Sequence, residues 1–74
     1  MGELAGISGK DAVHAFVRLG YAVVRQHGSH VRLKDITNKR PPITIPLHKE
    51  LAIGLLHQLL KDTQTSTDEF LQSL

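Results

Sequence analysis

The sequence contains no cysteine and no tryptophan, and its only aromatic residues are Phe16, Tyr21 and Phe70. Without cysteine, the chain can form neither a disulfide scaffold nor a Cys-based zinc site. So few aromatic side chains argue against a base-stacking platform of the kind that single-strand-binding proteins use. The first two classes of small domain are thus excluded, and the third is disfavoured.

Long hydrophobic runs are also missing. Residues 1–7 have neither the charged start nor the apolar run of a signal peptide, and no stretch reaches the length of a membrane span. We therefore expect a cytoplasmic protein. A chain of 74 residues should form one domain that buries roughly 60% of the unfolded chain's surface, which leaves no room for a deep cofactor cavity. We expect a single domain over residues 1–74, with residues 1–7 flexible and no cofactor.

Acidic residues are nearly absent from the middle of the chain. Between residues 18 and 49, seven Lys and Arg side chains accompany Asp35 alone, for a local net charge of +6, whereas residues 50–74 carry −3. A basic region on a small domain favours a polyanionic partner, and nucleic acid is the default candidate.

The hydrophobic pattern predicts the order helix, strand, strand, strand, helix, short helix. Ser8 and Asp11 resemble a capping box at the start of the first helix. Val13, Phe16 and Val17 then recur at helical spacing as its core stripe, and Gly20 ends it.

Three short strands are predicted over residues 21–26, 30–34 and 43–45. The third is bordered by prolines, which favours an edge position. A three-stranded antiparallel sheet with helices on one face is the economical packing for this order, so we predict an α+β fold with the other sheet face open.

The C-terminal third predicts two helices. Residues 51–60 are dense in leucine at helical spacing, and this helix begins near either Lys49 or Gly54. Residues 66–69 form a second capping box before a short last helix, whose buried side is predicted to carry Phe70, Leu71 and Leu74.

A hairpin at residues 26–34 is the organising feature of the predicted sheet. Gly28 can adopt the positive φ that a tight turn requires. The alternation after it places His30, Arg32 and Lys34 on one solvent-facing side, and Arg25 joins them if its side chain emerges there. On spacing alone a solvated polar face is the simpler interpretation, with phosphate binding or phosphodiester cleavage as the alternative.

Several short motifs together resemble the HicA toxin family over residues 8–74. The motifs are Gly20-Tyr21 after a capped helix, Arg25, Gly28-Ser29-His30, Ile45-Pro46-Leu47-His48 and a Gly-Leu-rich helix. The resemblance implies an αβββα fold like that of double-stranded-RNA-binding domains. It also implies a ribosome-independent mRNA interferase of a type II toxin–antitoxin system, held inactive by a HicB-type antitoxin, with the functional histidine at His30.

One segment departs from the family pattern. Family members commonly begin the second long helix with Gly-Thr-Leu-Arg, whereas this chain has Gly54-Leu55-Leu56-His57. Because a hydroxyl and a guanidinium are missing, an RNA contact from this helix start is in doubt. A non-catalytic or attenuated RNA-binding module that uses the same basic face is therefore the alternative to an active endoribonuclease.

The implied chemistry uses the RNA's own 2′-OH as the nucleophile. His30 can act as general acid or base near neutral pH. Arg32 and Lys34, with Arg25, can bind the phosphate and stabilise its developing charge. Gly28 and Ser29 belong to the same RNA-binding hairpin, where Ser29 shapes the turn. No metal is required.

The other histidines carry weaker expectations. His27 and His30 could chelate a metal, but no carboxylate is placed to complete the shell, so we expect no metal site. His48 is either a second acid–base group or RNA contact, or an ordinary loop histidine. His14 is expected on the surface, and His57 is expected to be partly buried against the leucines.

Overall fold

The computed structural model describes residues 3–74, which form three helices and one three-stranded sheet. In chain order the elements are α1 (Gly9–Arg18), β1 (Tyr21–His27), β2 (His30–Asp35), β3 (Ile43–Pro46), α2 (Ile53–Asp62) and α3 (Thr67–Gln72). The predicted α+β class and element order are confirmed. Within residues 3–74, each helix is too short or too polar to cross a membrane.

The sheet is antiparallel with the order β1-β2-β3, so β3 lies at an edge as predicted and β2 is central. Burial alternates along β2: Val31, Leu33 and Asp35 are buried, and the residues that alternate with them are exposed. Because successive side chains of a strand point to opposite faces, one face of the sheet carries the core and the other is open. α1 packs against β1 and β3 on the core face.

The first helix begins and ends as predicted, but its buried face is shifted. The Ser8 side chain accepts a hydrogen bond from the Asp11 amide at 3.0 Å, and Gly20 follows the helix with a φ of +105°. The buried positions include Ala12 and Phe16, whereas Val17 is 44% exposed. At 3.6 residues per turn, Val17 lies outside the arc centred on Ala12 and Phe16, so its predicted place in the core stripe is wrong.

A close backbone approach joins α1 to the segment after β3. The Gly9 amide donates to the His48 carbonyl at 2.9 Å. A Cβ atom at Gly9 would collide with the Pro46 carbonyl oxygen and lie 2.8 Å from Leu47 Cα. Only glycine permits this contact, which fixes the exit of β3 against the start of α1.

The segment before α1 packs against the domain, in contrast to the flexible start that the sequence indicates. Leu4 and Ile7 belong to the hydrophobic core, and the Ile7 carbonyl accepts from the Leu51 amide at 2.8 Å. The same expectation for Met1 and Gly2 lies outside the described residues.

The leucine-rich helix begins at Ile53 with Ala52 as its N-cap, so the predicted start near Gly54 is confirmed and the start near Lys49 is wrong. Its buried residues are Leu56, Leu59 and Leu60. His57 is exposed, which corrects the expectation that it is partly buried. Successive residues of a helix are rotated by about 100° around its axis, so His57, which follows the buried Leu56, points to solvent.

The last helix has the predicted capping box, in which Ser66 and Glu69 exchange side-chain and backbone hydrogen bonds. Phe70 is fully buried, with its ring centroid 5.4 Å from that of Phe16. Leu74 is 45% exposed, so its predicted burial is wrong. The reason is that α3 ends at Gln72 and does not carry Leu74 back over the core.

Candidate nucleic-acid interface

A two-residue loop, Gly28-Ser29, connects β1 to β2 and is flanked by the paired residues His27 and His30. Gly28 has a φ of +61°, and a positive φ at the first loop position alone is the pattern of a type II′ turn. The Ser29 carbonyl accepts from the Leu47 amide at 2.6 Å. The turn is thereby attached to the end of β3, and it holds the two histidines at one corner of the sheet.

The open face of the sheet carries a shallow groove beside this turn. We call it the histidine–arginine groove; it is lined by Arg25, Gln26, His27, His30, Arg32 and Thr44. Arg25 pairs with Arg32, and His27 pairs with His30. Directly opposite residues of an antiparallel pair share a face, so these four side chains project to the same side.

A β-bulge in β1 is what places Arg25 and His27 in the groove. The register shifts between Val23 and Arg25, which leaves Val24 as an extra residue in β1. With strict alternation, Arg25 and His27 would share the core-facing side of Tyr21 and Val23. The extra residue turns both side chains to the open face, where they lie across from Arg32 and His30 of β2. The Arg25 side chain therefore emerges on the same face as His30 and Arg32. The bulge that places it there is a feature that alternation does not predict.

Thr44 is a groove residue that sequence reasoning missed. It lies opposite Arg32 on β3, and its Oγ1 accepts a hydrogen bond from Arg32 Nη1 at 2.9 Å. Because a guanidinium has five N–H donors, this bond orients Arg32 and leaves other donors available to a ligand. The only sequence signal is the position of Thr44 between Ile43 and Ile45, which are both buried.

Lys34 and His48 lie outside the groove lining. Lys34 is exposed on the same sheet face, two residues beyond Arg32 and opposite Ala22. His48 follows β3 and is exposed, and the structure does not bring it together with His30 in the groove. His14 is exposed on α1, as expected. Lys34 thus extends the positive charge of the groove along β2.

Asp35, the one acidic residue between residues 18 and 49, stabilises the fold. Asp35 is 1% exposed and accepts hydrogen bonds from Arg40 Nε at 3.0 Å and from the Arg40 amide at 2.8 Å. The Arg40 side chain holds the pKa of the Asp35 carboxyl well below its usual range, with burial opposing it and bonds from Thr37 assisting. Arg40 also lies over the Tyr21 ring, 4.7 Å from its centroid. Arg40 therefore stabilises the β2–β3 loop and does not belong to the groove, although the charge count includes it in the basic region.

The groove combines two permanent cations with two imidazoles, and within residues 3–74 its lining contains no carboxylate. Guanidinium groups bind phosphate oxygens with paired, charge-assisted hydrogen bonds, and imidazoles transfer protons near neutral pH. In the described part of the chain, no three His, Cys, Asp or Glu side chains cluster as metal ligands would. The arrangement suits a phosphodiester more than a metal ion or an apolar ligand.

Comparison with known protein families gives a match for this chain. A family model described as the HicA toxin of bacterial toxin–antitoxin systems matches residues 9–64, which include the whole groove. A search of curated proteins gave no match. The order α1-β1-β2-β3-α2 agrees with the double-stranded-RNA-binding-domain-like fold that the resemblance implies. Since the matched segment covers more than half of the sequence, the chain belongs to the HicA family of toxins of bacterial toxin–antitoxin systems.

Proposed function

We propose that the protein is an endoribonuclease toxin, an mRNA interferase that cleaves RNA in the histidine–arginine groove. The observation that carries this proposal is the position of His30, which shares an open, carboxylate-free groove with Arg25 and Arg32. A single-stranded or looped RNA can reach this face because no helix of residues 3–74 packs on it.

The reaction begins with attack of a 2′-OH on the adjacent phosphorus. His30 transfers a proton in this step as a general acid or base, a role that typically contributes about 10²- to 10⁴-fold. Arg25 and Arg32 bind the phosphate and stabilise the negative charge that develops on its oxygens. Lys34 contacts the neighbouring backbone. Because RNA supplies the nucleophile and these side chains supply the rest, the reaction proceeds without a metal.

Gly28 and Ser29 hold His30 in position. The positive φ of Gly28 closes the turn, and the carbonyl of Ser29 is bonded to the Leu47 amide. The catalytic imidazole therefore lies on the central strand beside a turn that is bonded to the next strand.

Substitution His30→Ala tests the proposal. Because His30 is exposed, the variant should fold and bind RNA as the wild type does, while cleavage falls by about 10²-fold or more and expression no longer arrests growth. His14→Ala, which removes an exposed histidine of α1, is the matched control and should retain both activities. Unchanged cleavage by His30→Ala would remove His30 from the mechanism.

A non-catalytic RNA-binding module is the second candidate, and the start of α2 favours it. Leu56 is buried in the core and His57 is exposed, at the positions where the family commonly has leucine and arginine, while Leu55 replaces its threonine. The same groove would then only bind phosphate. In that case the wild type and His30→Ala bind RNA equally and neither cleaves it.

The toxin is neutralised by a HicB-type antitoxin that covers the groove. Carboxylates of the antitoxin would meet Arg25, Arg32 and Lys34, whose exposed cations favour an acidic surface. Such a complex shields His30 from solvent and from RNA. Its association depends on salt because exposed charges are screened over about 8 Å at physiological ionic strength.

A further inference from the structure

His27 is the second imidazole of the groove, and the proposed function leaves it without a role. It is exposed at the end of β1 and pairs directly with His30 across the two-residue loop. Side chains in such a pair have Cβ atoms about 4.5–5.5 Å apart. Both imidazoles can therefore contact one phosphate placed between them, with Arg25 and Arg32 beside them.

The position of His27 depends on the same bulge that turns Arg25 outward. Without the extra residue Val24, alternation from Tyr21 would put His27 on the core-facing side of the sheet. With it, one histidine from each strand faces the groove. The groups that face these imidazoles are Arg25 on β1 and Arg32 on β2. The third strand contributes Thr44 and Pro46, and neither of them titrates.

We propose that His27 is a second catalytic residue and that His27 and His30 divide the two proton transfers of RNA cleavage. This inference rests on the proposed function. One imidazole accepts the 2′-OH proton as the 2′-oxygen bonds to phosphorus. The other, as imidazolium, donates its proton to the 5′-oxygen as the phosphorus–oxygen bond to it breaks. The products are a 2′,3′-cyclic phosphate and a 5′-OH, and the two histidines end with exchanged protonation states.

Two imidazoles suit this chemistry better than one. The attacking and leaving oxygens lie on opposite sides of phosphorus in an in-line displacement, so one side chain cannot contact both at the same time. Two histidines on neighbouring strands can flank a phosphate that Arg25 and Arg32 bind between them. His48, the other candidate for a second acid–base group, lies outside the groove lining.

The test compares His27→Asn and His30→Asn on two RNA substrates. One substrate is ordinary RNA, and the other carries sulfur in place of the bridging 5′-oxygen at the scissile bond. A thiolate leaves without a proton, so this substrate no longer requires the general acid. Asparagine keeps hydrogen-bonding capacity but cannot transfer a proton, and His14→Asn is the control.

We expect both variants to bind ordinary RNA as the wild type does and to cleave it about 10²- to 10⁴-fold more slowly. The sulfur substrate should restore one of the two variants and not the other, and the restored one identifies the acid. The wild-type pH–rate profile should be bell-shaped, and each variant should lose one limb.

Wild-type cleavage by His27→Asn, or restoration of both variants or of neither, would overturn the division of roles. These results differ from failure of the proposed function. If the wild type does not cleave RNA, the nuclease assignment itself fails, and if His30→Asn also cleaves normally, the reaction does not use His30. If His30→Asn is inactive and His27→Asn is fully active, only the role of His27 is excluded.

Discussion

Arg25 lies directly opposite Arg32 across the β1–β2 pair, with both side chains on the open face of the sheet. Like charges placed opposite each other destabilise a sheet, and within residues 3–74 no carboxylate lines the groove to relieve them. A bound phosphate would relieve this repulsion. The pair therefore favours ligand binding at the expense of the stability of the free protein.

The first prediction concerns this arginine pair. Arg25→Gln should raise the free energy of unfolding by about 0.2–1 kcal/mol because a like-charge cross-strand pair is removed. The same substitution should weaken RNA binding and reduce the slope of log affinity against log salt concentration by about 0.7, the contribution of one phosphate contact on a single strand. Denaturant unfolding and RNA titrations across a salt series measure the two effects.

The matched control is Lys61→Gln, at the exposed end of α2. It removes the same charge away from the groove and should leave the salt slope unchanged. A less stable Arg25→Gln protein with unchanged RNA affinity would contradict this interpretation of the pair.

A second prediction compares two helical glycines. Gly9→Ala should destabilise the protein by about 1–3 kcal/mol, the usual effect of overpacking, because a Cβ there meets the backbone of Pro46 and Leu47. Gly54→Ala should instead stabilise it by about 0.4–1 kcal/mol, since a Cβ there meets nothing within 4 Å and the unfolded chain loses freedom. Thermal unfolding of both variants measures the two effects. Equal shifts of their melting temperatures would refute the close approach at Gly9.

The third prediction concerns pH. The pKa of Asp35 in the folded protein lies well below its usual range because of the hydrogen bonds from Arg40, with Thr37 adding to them. The ionised carboxylate therefore stabilises the fold above the unfolded pKa of about 3.9, and this stability is lost as pH falls below that value. Asp35→Asn should be less stable at pH 7 and should lose part of the acid-induced decline between about pH 4 and pH 2.

Asp62→Asn is the control for this experiment, because Asp62 is exposed on α2. This variant keeps the Asp35 carboxylate and should therefore keep the part of the acid-induced decline that Asp35 causes. An unchanged acid limb in Asp35→Asn would show that other carboxylates cause the decline.

The fourth prediction concerns the antitoxin. In the complex with a HicB-type partner, His27 and His30 should be protected from diethyl pyrocarbonate, while His14 on α1 stays reactive. The association rate should fall as salt is added, because the partner's carboxylates meet exposed cations of the groove. If His30 stays reactive in a stable complex, the antitoxin acts elsewhere and does not cover the groove.

Much of the architecture could be predicted from local patterns. The alternation after Gly28 predicts which side chains of β2 are exposed, and the capping residues Ser8 and Ser66 mark their helix starts. Which side of each helix is buried is harder to predict, since apolar residues such as Val17 occur just outside the buried face.

The composition of the site was less accessible to sequence reasoning. The resemblance to the HicA family implies a role for His30. The bulge at Val24 is a feature of strand pairing that no spacing rule indicates, and it decides where Arg25 and His27 point. The role of Asp35 was equally hidden, because its partner Arg40 looks like one more cation of the basic region. Only the structure separates the exposed arginines of the groove from Arg40, which is bonded to Asp35 within the fold.

The most direct test of RNA cleavage in this groove uses a single atom of the substrate. A short RNA should be cleaved by the wild-type protein in excess EDTA, and one 2′-deoxy substitution at the scissile nucleotide should abolish cleavage while binding is unchanged. The upstream product should end in a 2′,3′-cyclic phosphate. Cleavage of the deoxy-substituted strand, or a strict requirement for Mg²⁺, would contradict 2′-OH attack assisted by His30.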